Sequence, residues 1–179
     1  PIVWRFPAPP GFSRVELGDG SWGQWLRHLP LKPHRTPVVS LSGDTIVAAN
    51  SPFLGAVLEM DVRRNLECAD VILRLRAEYL RWAGREADIV FPLSGEGEIS
   101  WPEWKRGMRP RLQGNRLRFY KTATPDGSRA NFERYLDAVF AWCGTYSVAK
   151  AGKSVAPSEI QVGDFFIHAG SPGHTVLVV

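Results

Sequence analysis

From Cys68 to Trp82 the residues Cys68, Val71, Ile72, Leu75, Tyr79 and Trp82 recur at steps of three and four, the spacing that lines one face of an α-helix with apolar side chains. A helix with such a stripe must bury it, so the rest of the chain has to supply a covering layer. The pattern predicts a helix over 66–82, with Asn65 as its N-cap and Gly84 just past its end, where a left-handed residue is common. Asp70, Arg74 and Arg81 fall off the stripe, and Cys68 lies in the first turn on or near its core-facing side. A second stripe, formed by Phe132, Tyr135, Leu136, Val139, Phe140 and Cys143, predicts a helix capped by Ser128 and ended by Gly144.

The remaining segments are short and read mostly as strands and turns. Pro7-Ala8-Pro9-Pro10-Gly11 cannot continue a helix or a central strand, because proline lacks the amide donor and fixes its own backbone angle; residues 1–20 therefore read as an extended N-terminal arm. A short helix follows at 21–27, started by Ser21 or Asp19 and stopped by Pro30 and Pro33. Residues 36–41 and 45–48 form a hairpin around Ser42-Gly43-Asp44, and 55–62 a third strand. After a strand at 89–91, residues 95–121 read as an irregular insertion, aromatic and basic. The C-terminal residues 163–168 and 174–179 make a β-hairpin across a Gly- and Pro-rich turn, with His174 at the mouth of its second strand. The fold class is α+β, with a helix packed on an antiparallel sheet.

With 179 residues and 44% hydrophobic content the chain is sized for one domain, 1–179, and one cooperative unit. Its apolar runs are far shorter than the roughly 20 residues of a membrane helix, so no transmembrane segment is expected. The first residues lack the basic start, apolar stretch and cleavage site of a signal peptide; the chain reads as processed or trimmed, which leaves its compartment open. The net charge of +4 is uneven, since Lys105, Arg106, Arg109, Arg111, Arg116, Arg118 and Lys121 crowd one stretch, either a solvated basic surface or a face for an anionic partner.

Chemistry is best placed on Cys68 and His174. A cysteine in the first turn of a helix sits at the positive end of the aligned peptide dipoles, which favours a nucleophilic thiolate. A histidine at a strand mouth beside a Gly-rich turn can serve as its general base. The other reading of Cys68 is a buried core cysteine, a common place for that residue type. Cys143 reads as core, and the two cysteines fit neither a disulfide framework nor a zinc spacing. Asp164 organises the turn before the C-terminal hairpin or orients His174. Arg74 and Glu78, four apart, read as a surface ion pair, or else Arg74 is partly buried and holds substrate or a loop. Trp101, Trp104, Arg106, Arg109, Phe119 and Tyr120 interleave rings with cations, a composition suited to stacking on sugars or bases and contacting anions. Core packing beneath a basic surface explains the same residues. Nucleic acid is disfavoured because no binding-fold signature is present. No phosphate loop, dinucleotide fingerprint, EF-hand or metalloprotease helix occurs, so neither cofactor nor metal is expected.

Several stretches resemble known families. Glu67-Cys68-Ala69-Asp70-Val71 looks like a variant of the helix-opening motif of the NlpC/P60 peptidoglycan peptidases, and Gly163-Asp164-Phe165-Phe166 with Gly173-His174-Thr175-Val176-Leu177-Val178 is similar to their histidine hairpin. A closer resemblance, to the DUF4846 family of bacterial, often envelope-associated proteins, is carried by residues 21–33, by Cys68-Ala69-Asp70 with residues 74–80, by Tyr135-Leu136-Asp137 with Gly144-Thr145, and by residues 163–167 with Pro172-Gly173-His174. These resemblances imply a papain-like (NlpC/P60-like) arrangement and a cysteine hydrolase acting on an amide bond in peptidoglycan peptide or a related envelope polypeptide, in the cell envelope or periplasm. The alternative they leave open is a non-catalytic envelope or cell-wall glycan-binding domain. Two features depart from the peptidase pattern: the carboxylate of Glu67 beside Cys68, and a chain that stops at Val179, ahead of the position from which the histidine's orienting group usually comes.

Overall fold

The computed structural model describes residues 1–52 and 54–179 and is α+β, built from helices and small antiparallel sheets. Its contacts fall into two compact units, one of Pro1–Leu66 with Gln161–Gly163 and Val179, the other of Glu67–Ile160 with Asp164–Val178.

In the first unit the expected arm begins instead as a helical turn, α1 (Ile2–Arg5), with Ile2 buried. Helix α2 (Trp22–Arg27) starts as the sequence predicts: Ser21 Oγ accepts the Gln24 amide at 3.2 Å and satisfies an end donor. Strands β1 (Val38–Val39) and β2 (Thr45–Val47) form the expected hairpin, shorter than read. The predicted strand at 55–62 shrinks to an isolated bridge, Leu31 with Leu58. The Trp22 indole donates to Gly163 O at 3.3 Å, and a Cβ on Gly163 would lie 2.3 Å from that ring, so the approach requires glycine at this left-handed position.

The second unit is built on α3 (Cys68–Trp82). It starts two residues later than the pattern suggests. Glu67 is the N-cap, its amide donating back to Asp70 Oδ2 at 3.0 Å, while Asn65 Oδ1 instead accepts the Leu41 amide. Gly84 takes the expected left-handed conformation. After α3 come the paired strands β3 (Val90–Pro92) and β4 (Glu98–Ser100), α4 (Trp101–Lys105), the hairpin β5 (Met108–Gln113) and β6 (Arg116–Lys121), then α5 (Arg129–Trp142), α6 (Thr145–Ala151), and the hairpin β7 (Phe165–His168) and β8 (His174–Leu177). Residues 95–121 are thus regular rather than loop, and α6 is an element the sequence reading did not anticipate.

The core joins Ile72, Leu73, Leu75, Tyr79 and Leu80 of α3 with Phe132, Tyr135, Leu136 and Val139 of α5, and with Ile89, Phe91, Ile99 and Trp101. Helix α3 packs against α5, α6 and β8, so more than its apolar stripe is covered: Asp70 and Arg74 are buried, while Trp82, on the predicted stripe, is exposed. The Arg74 guanidinium makes two parallel hydrogen bonds to Glu133 of α5, each 3.0 Å, and lies 3.5 Å from Glu78. Arg129 donates to both Glu78 and Glu133. The expected surface pair is therefore one edge of a largely buried network that joins two helices.

Burial alone would raise the Glu133 carboxyl, but hydrogen bonds and positive charge from Arg74 and Arg129 outweigh it and hold the group below its ordinary value. With a folded value below the unfolded one, this stabilisation is complete above the unfolded carboxylate range and is lost as pH falls through the depressed folded value. Glu133→Gln leaves Arg74 buried beside a neutral amide and is expected to cost roughly 3 kcal/mol at pH 7. Chemical denaturation would read this as a lower midpoint, and the gap to wild type should narrow as pH drops below about 4.3. Equal midpoints at pH 7 would show that the network does not hold the helices together.

Candidate functional site

Cys68 is the first residue of α3 and is half-buried, not sealed in the core. The first main-chain bond of the helix runs from Val71 N to Glu67 O at 3.2 Å, so the amides of Cys68, Ala69 and Asp70 have no main-chain acceptor within the helix, and that of Asp70 is taken by the Glu67 side chain in a capping box. The side chain at this point therefore shares its surroundings with the amides of Cys68 and Ala69, donors able to hold a negative charge.

Beneath this turn lies a buried polar cluster. Cys143 follows α5 directly, buried, with the Ser147 hydroxyl and the Asp70 carboxylate nearby. Burial pushes its thiol up to about 12, against a smaller lowering by a hydrogen bond with Ser147, and the charge of Asp70 adds to the rise. Ser147 Oγ also accepts the Gly144 amide at 3.2 Å and is 3.2 Å from Ser94 Oγ. Lys150 Nζ donates to the carbonyls of Leu93, Ser94 and Gly95. Both cysteines are free, and among the described residues no group of three His, Cys, Asp or Glu side chains could hold a metal.

His174 opens β8, which packs on α3. The turn before it is clamped to the start of α6: Thr145 Oγ1 donates to Gly170 O at 3.2 Å and accepts the Gly170 amide at 3.3 Å. Gly173 sits so close that a Cβ would lie 2.3 Å from Thr145 Oγ1 and 2.7 Å from Gly170 O. Exposure alternates along the hairpin, with Thr175 buried and Phe166, His168, His174 and Val176 outward. His174 therefore shares the outward face with its cross-strand partner His168. Among the described residues no hydrogen bond engages the Cys68 thiol or the His174 ring.

Asp164 does not take the orienting role. Phe165 pairs with Leu177 and His168 with His174, and Val178 N donates to Asp164 O, so Asp164 stands four register steps from His174. At about 3.4 Å per residue that is roughly 13 Å, beyond the reach of the two side chains. Asp164 instead borders a groove of about 590 Å³ with Gly152, Val155, Ile160, Phe165 and Val178, a lining that includes neither Cys68 nor His174.

The two tryptophans singled out for ligand stacking are inside, whereas Tyr120 is exposed. Trp101 is fully buried, edge-on to Phe132 at 5.1 Å, with its indole donating to Glu86 Oε2 at 3.2 Å. Trp104 is buried and donates to Asn131 Oδ1 at 3.1 Å, and the Arg109 guanidinium lies 4.1 Å from its ring centre. Arg106 is exposed and paired with Glu103, and Arg74 is taken up by Glu133. Among the predicted site residues, then, His174 and Arg106 are exposed, Cys68, Asp164 and Arg109 are half-buried, and Arg74, Trp101 and Trp104 are buried. The sequence reading missed the Thr145 clamp, although Gly144-Thr145 already stood among the family-like stretches, and the β5–β6 hairpin, whose Gly114-Asn115 turn between alternating apolar and basic residues was its signal.

No helix among the described residues is long and apolar enough to cross a membrane. The family model described as a domain of unknown function (4846) matches residues 2–179. No curated protein matches the chain. No solved structure matches it either.

Two outcomes are expected from this geometry. Iodoacetamide on the native protein should label Cys68 and leave Cys143 unmodified until denaturant is added, as read by peptide mass spectrometry; native labelling of Cys143 would contradict its burial. Gly173→Ala should lower stability by about 1–3 kcal/mol through its clash with Thr145 and Gly170, and an unaltered melting temperature would show that the clamp is loose.

Proposed function

The chain belongs to the DUF4846 family, and on that premise we propose that it is a cysteine hydrolase of papain-like (NlpC/P60-like) arrangement, cleaving an amide bond in peptidoglycan peptide or a related bacterial envelope substrate. One observation carries the reading: a half-exposed cysteine opens the 15-residue α3, and that helix packs on the strand that begins with an exposed histidine. The envelope substrate is supported by the resemblance of the Cys68 and His174 stretches to peptidoglycan peptidases.

In this reading Cys68 Sγ attacks the carbonyl carbon of the scissile amide while its proton passes to His174. The oxyanion that forms is met by the amides of Cys68 and Ala69 at the start of α3. Collapse of the tetrahedral intermediate breaks the C–N bond, and His174 delivers the proton to the departing amine. Water, deprotonated by His174, then hydrolyses the thioester and restores the thiol. Because thiol and imidazole are not hydrogen-bonded here, the mechanism requires the His174 ring to turn toward the helix end when substrate binds; catalytic hydrogen bonds often tighten only in that complex. The alternative of a purely glycan-binding domain has lost the Trp101 and Trp104 rings as platforms and retains only the basic hairpin.

Cys68→Ser and His174→Ala should each reduce the release of soluble fragments from isolated peptidoglycan by at least about a thousandfold, with melting temperatures near wild type because neither side chain is sealed in the core. Full turnover by Cys68→Ser would refute the assignment.

A further inference from the structure

The β5–β6 register places Arg109 opposite Tyr120, Arg111 opposite Arg118 and Gln113 opposite Arg116. Opposed residues share a face, so one side of this ribbon carries four arginines, Gln113 and Tyr120. The other side carries Met108, Pro110, Leu112, Leu117 and Phe119, with Lys121. Arg109 is anchored, donating to the carbonyls of Trp104 and Met108 and to Asn131 Oδ1. Arg111, Arg116, Arg118 and Tyr120 are exposed.

Few negative charges answer these cations. The sequence has no acidic residue between Gly107 and Pro125. Arg116 lies 3.4 Å from Glu96, Arg111 rests 5.9 Å from the Tyr120 ring centre, and among the described residues neither Arg111 nor Arg118 has an acidic partner. Like charges directly opposed on a ribbon destabilise it. Local conflict with stability is the pattern expected where a surface serves a ligand.

We propose that this face docks an acidic glycan chain, whose carboxylates pair with Arg111, Arg116 and Arg118 while one sugar ring stacks on Tyr120. Arginine's planar fork matches a carboxylate bidentately. Residues two apart on a strand stand about 7 Å apart on the same face, so the guanidiniums form rows suited to a linear chain with repeated anions. A single-stranded nucleic acid would call for a series of ring platforms, and here Tyr120 stands alone while Trp101 and Trp104 are buried. A bilayer surface would need cations and apolar side chains on a common side, whereas Leu112 and Leu117 lie on the side opposite the arginines. The inference does not depend on the chemistry of Cys68.

The test is fluorescence anisotropy with labelled oligogalacturonate, a carboxylated glycan, at about 50 mM salt and above. Wild type should bind, and more weakly as salt rises. Arg111→Gln/Arg118→Gln should weaken binding roughly tenfold or more, Tyr120→Ala should weaken it less, and Arg111→Lys/Arg118→Lys should fall between wild type and the glutamine pair. The glutamine variant should melt no lower than wild type, since a repulsion has been removed. Failure of wild type to bind, equal binding by the glutamine variant, or a lower melting temperature of that variant would overturn the proposal. So would tighter binding of oligothymidylate or of phosphatidylglycerol vesicles with the same arginine dependence, which would give the face to another occupant.

Discussion

The bidentate pair of Arg74 with Glu133 sets the register between α3 and α5, and the second unit is organised around that register. Two charges removed from water are stabilising only where their hydrogen bonds are met, and here Glu78 and Arg129 complete the set from the rim. With the two helices held together, the first turn of α3 comes beside the exit of α5, where burial, with a smaller contribution from the Asp70 charge, raises the Cys143 thiol. The chain leaves that point as Gly144-Thr145, and Thr145 grips the turn that precedes His174. An ion pair remote from both candidate catalytic groups thus helps to place each of them.

The two ends of this arrangement differ in character. Cys68 is held by a helix start where its own amide and that of Ala69 face no main-chain acceptor, on a base of buried polar groups. His174 stands on the outward face of a hairpin whose inward residue, Thr175, is buried and donates to Phe166 O at 2.9 Å. The turn backbone is rigidly clamped while the imidazole faces outward, a combination that suits a side chain whose partner arrives with substrate. The β5–β6 ribbon is two-sided in a simpler sense: alternation along each strand separates cations from apolar residues, and its base is tied to the core through Arg109.

Much of the fold was legible in the residues. The α3 and α5 stripes, the Ser21 and Ser128 caps, Gly84 and the C-terminal hairpin follow from rules that operate within one or two turns of chain, and the structure contains them, except that Trp82 of the α3 stripe is exposed. The boundaries moved where a cap was chosen by tertiary contact: Asn65 reaches Leu41 and leaves Glu67 to start α3. The reading of 95–121 as an irregular loop failed because Pro and Gly were taken as breakers, although Pro110 lies within a strand of a two-stranded ribbon, where a missing donor is tolerated.

The sequence by itself determined where helices and turns form and which two residues, Cys68 and His174, stand at element starts, because periodicity, capping and turn chemistry are local. Only the tertiary structure decided which side chains remain reachable. Arg74 is buried because its partner comes from 59 residues further along, Trp101 and Trp104 are core because α5 covers them, and Asp164 is separated from His174 by the length of a hairpin. Burial and proximity depend on which distant segments pack together, and residue spacing along the chain does not record that.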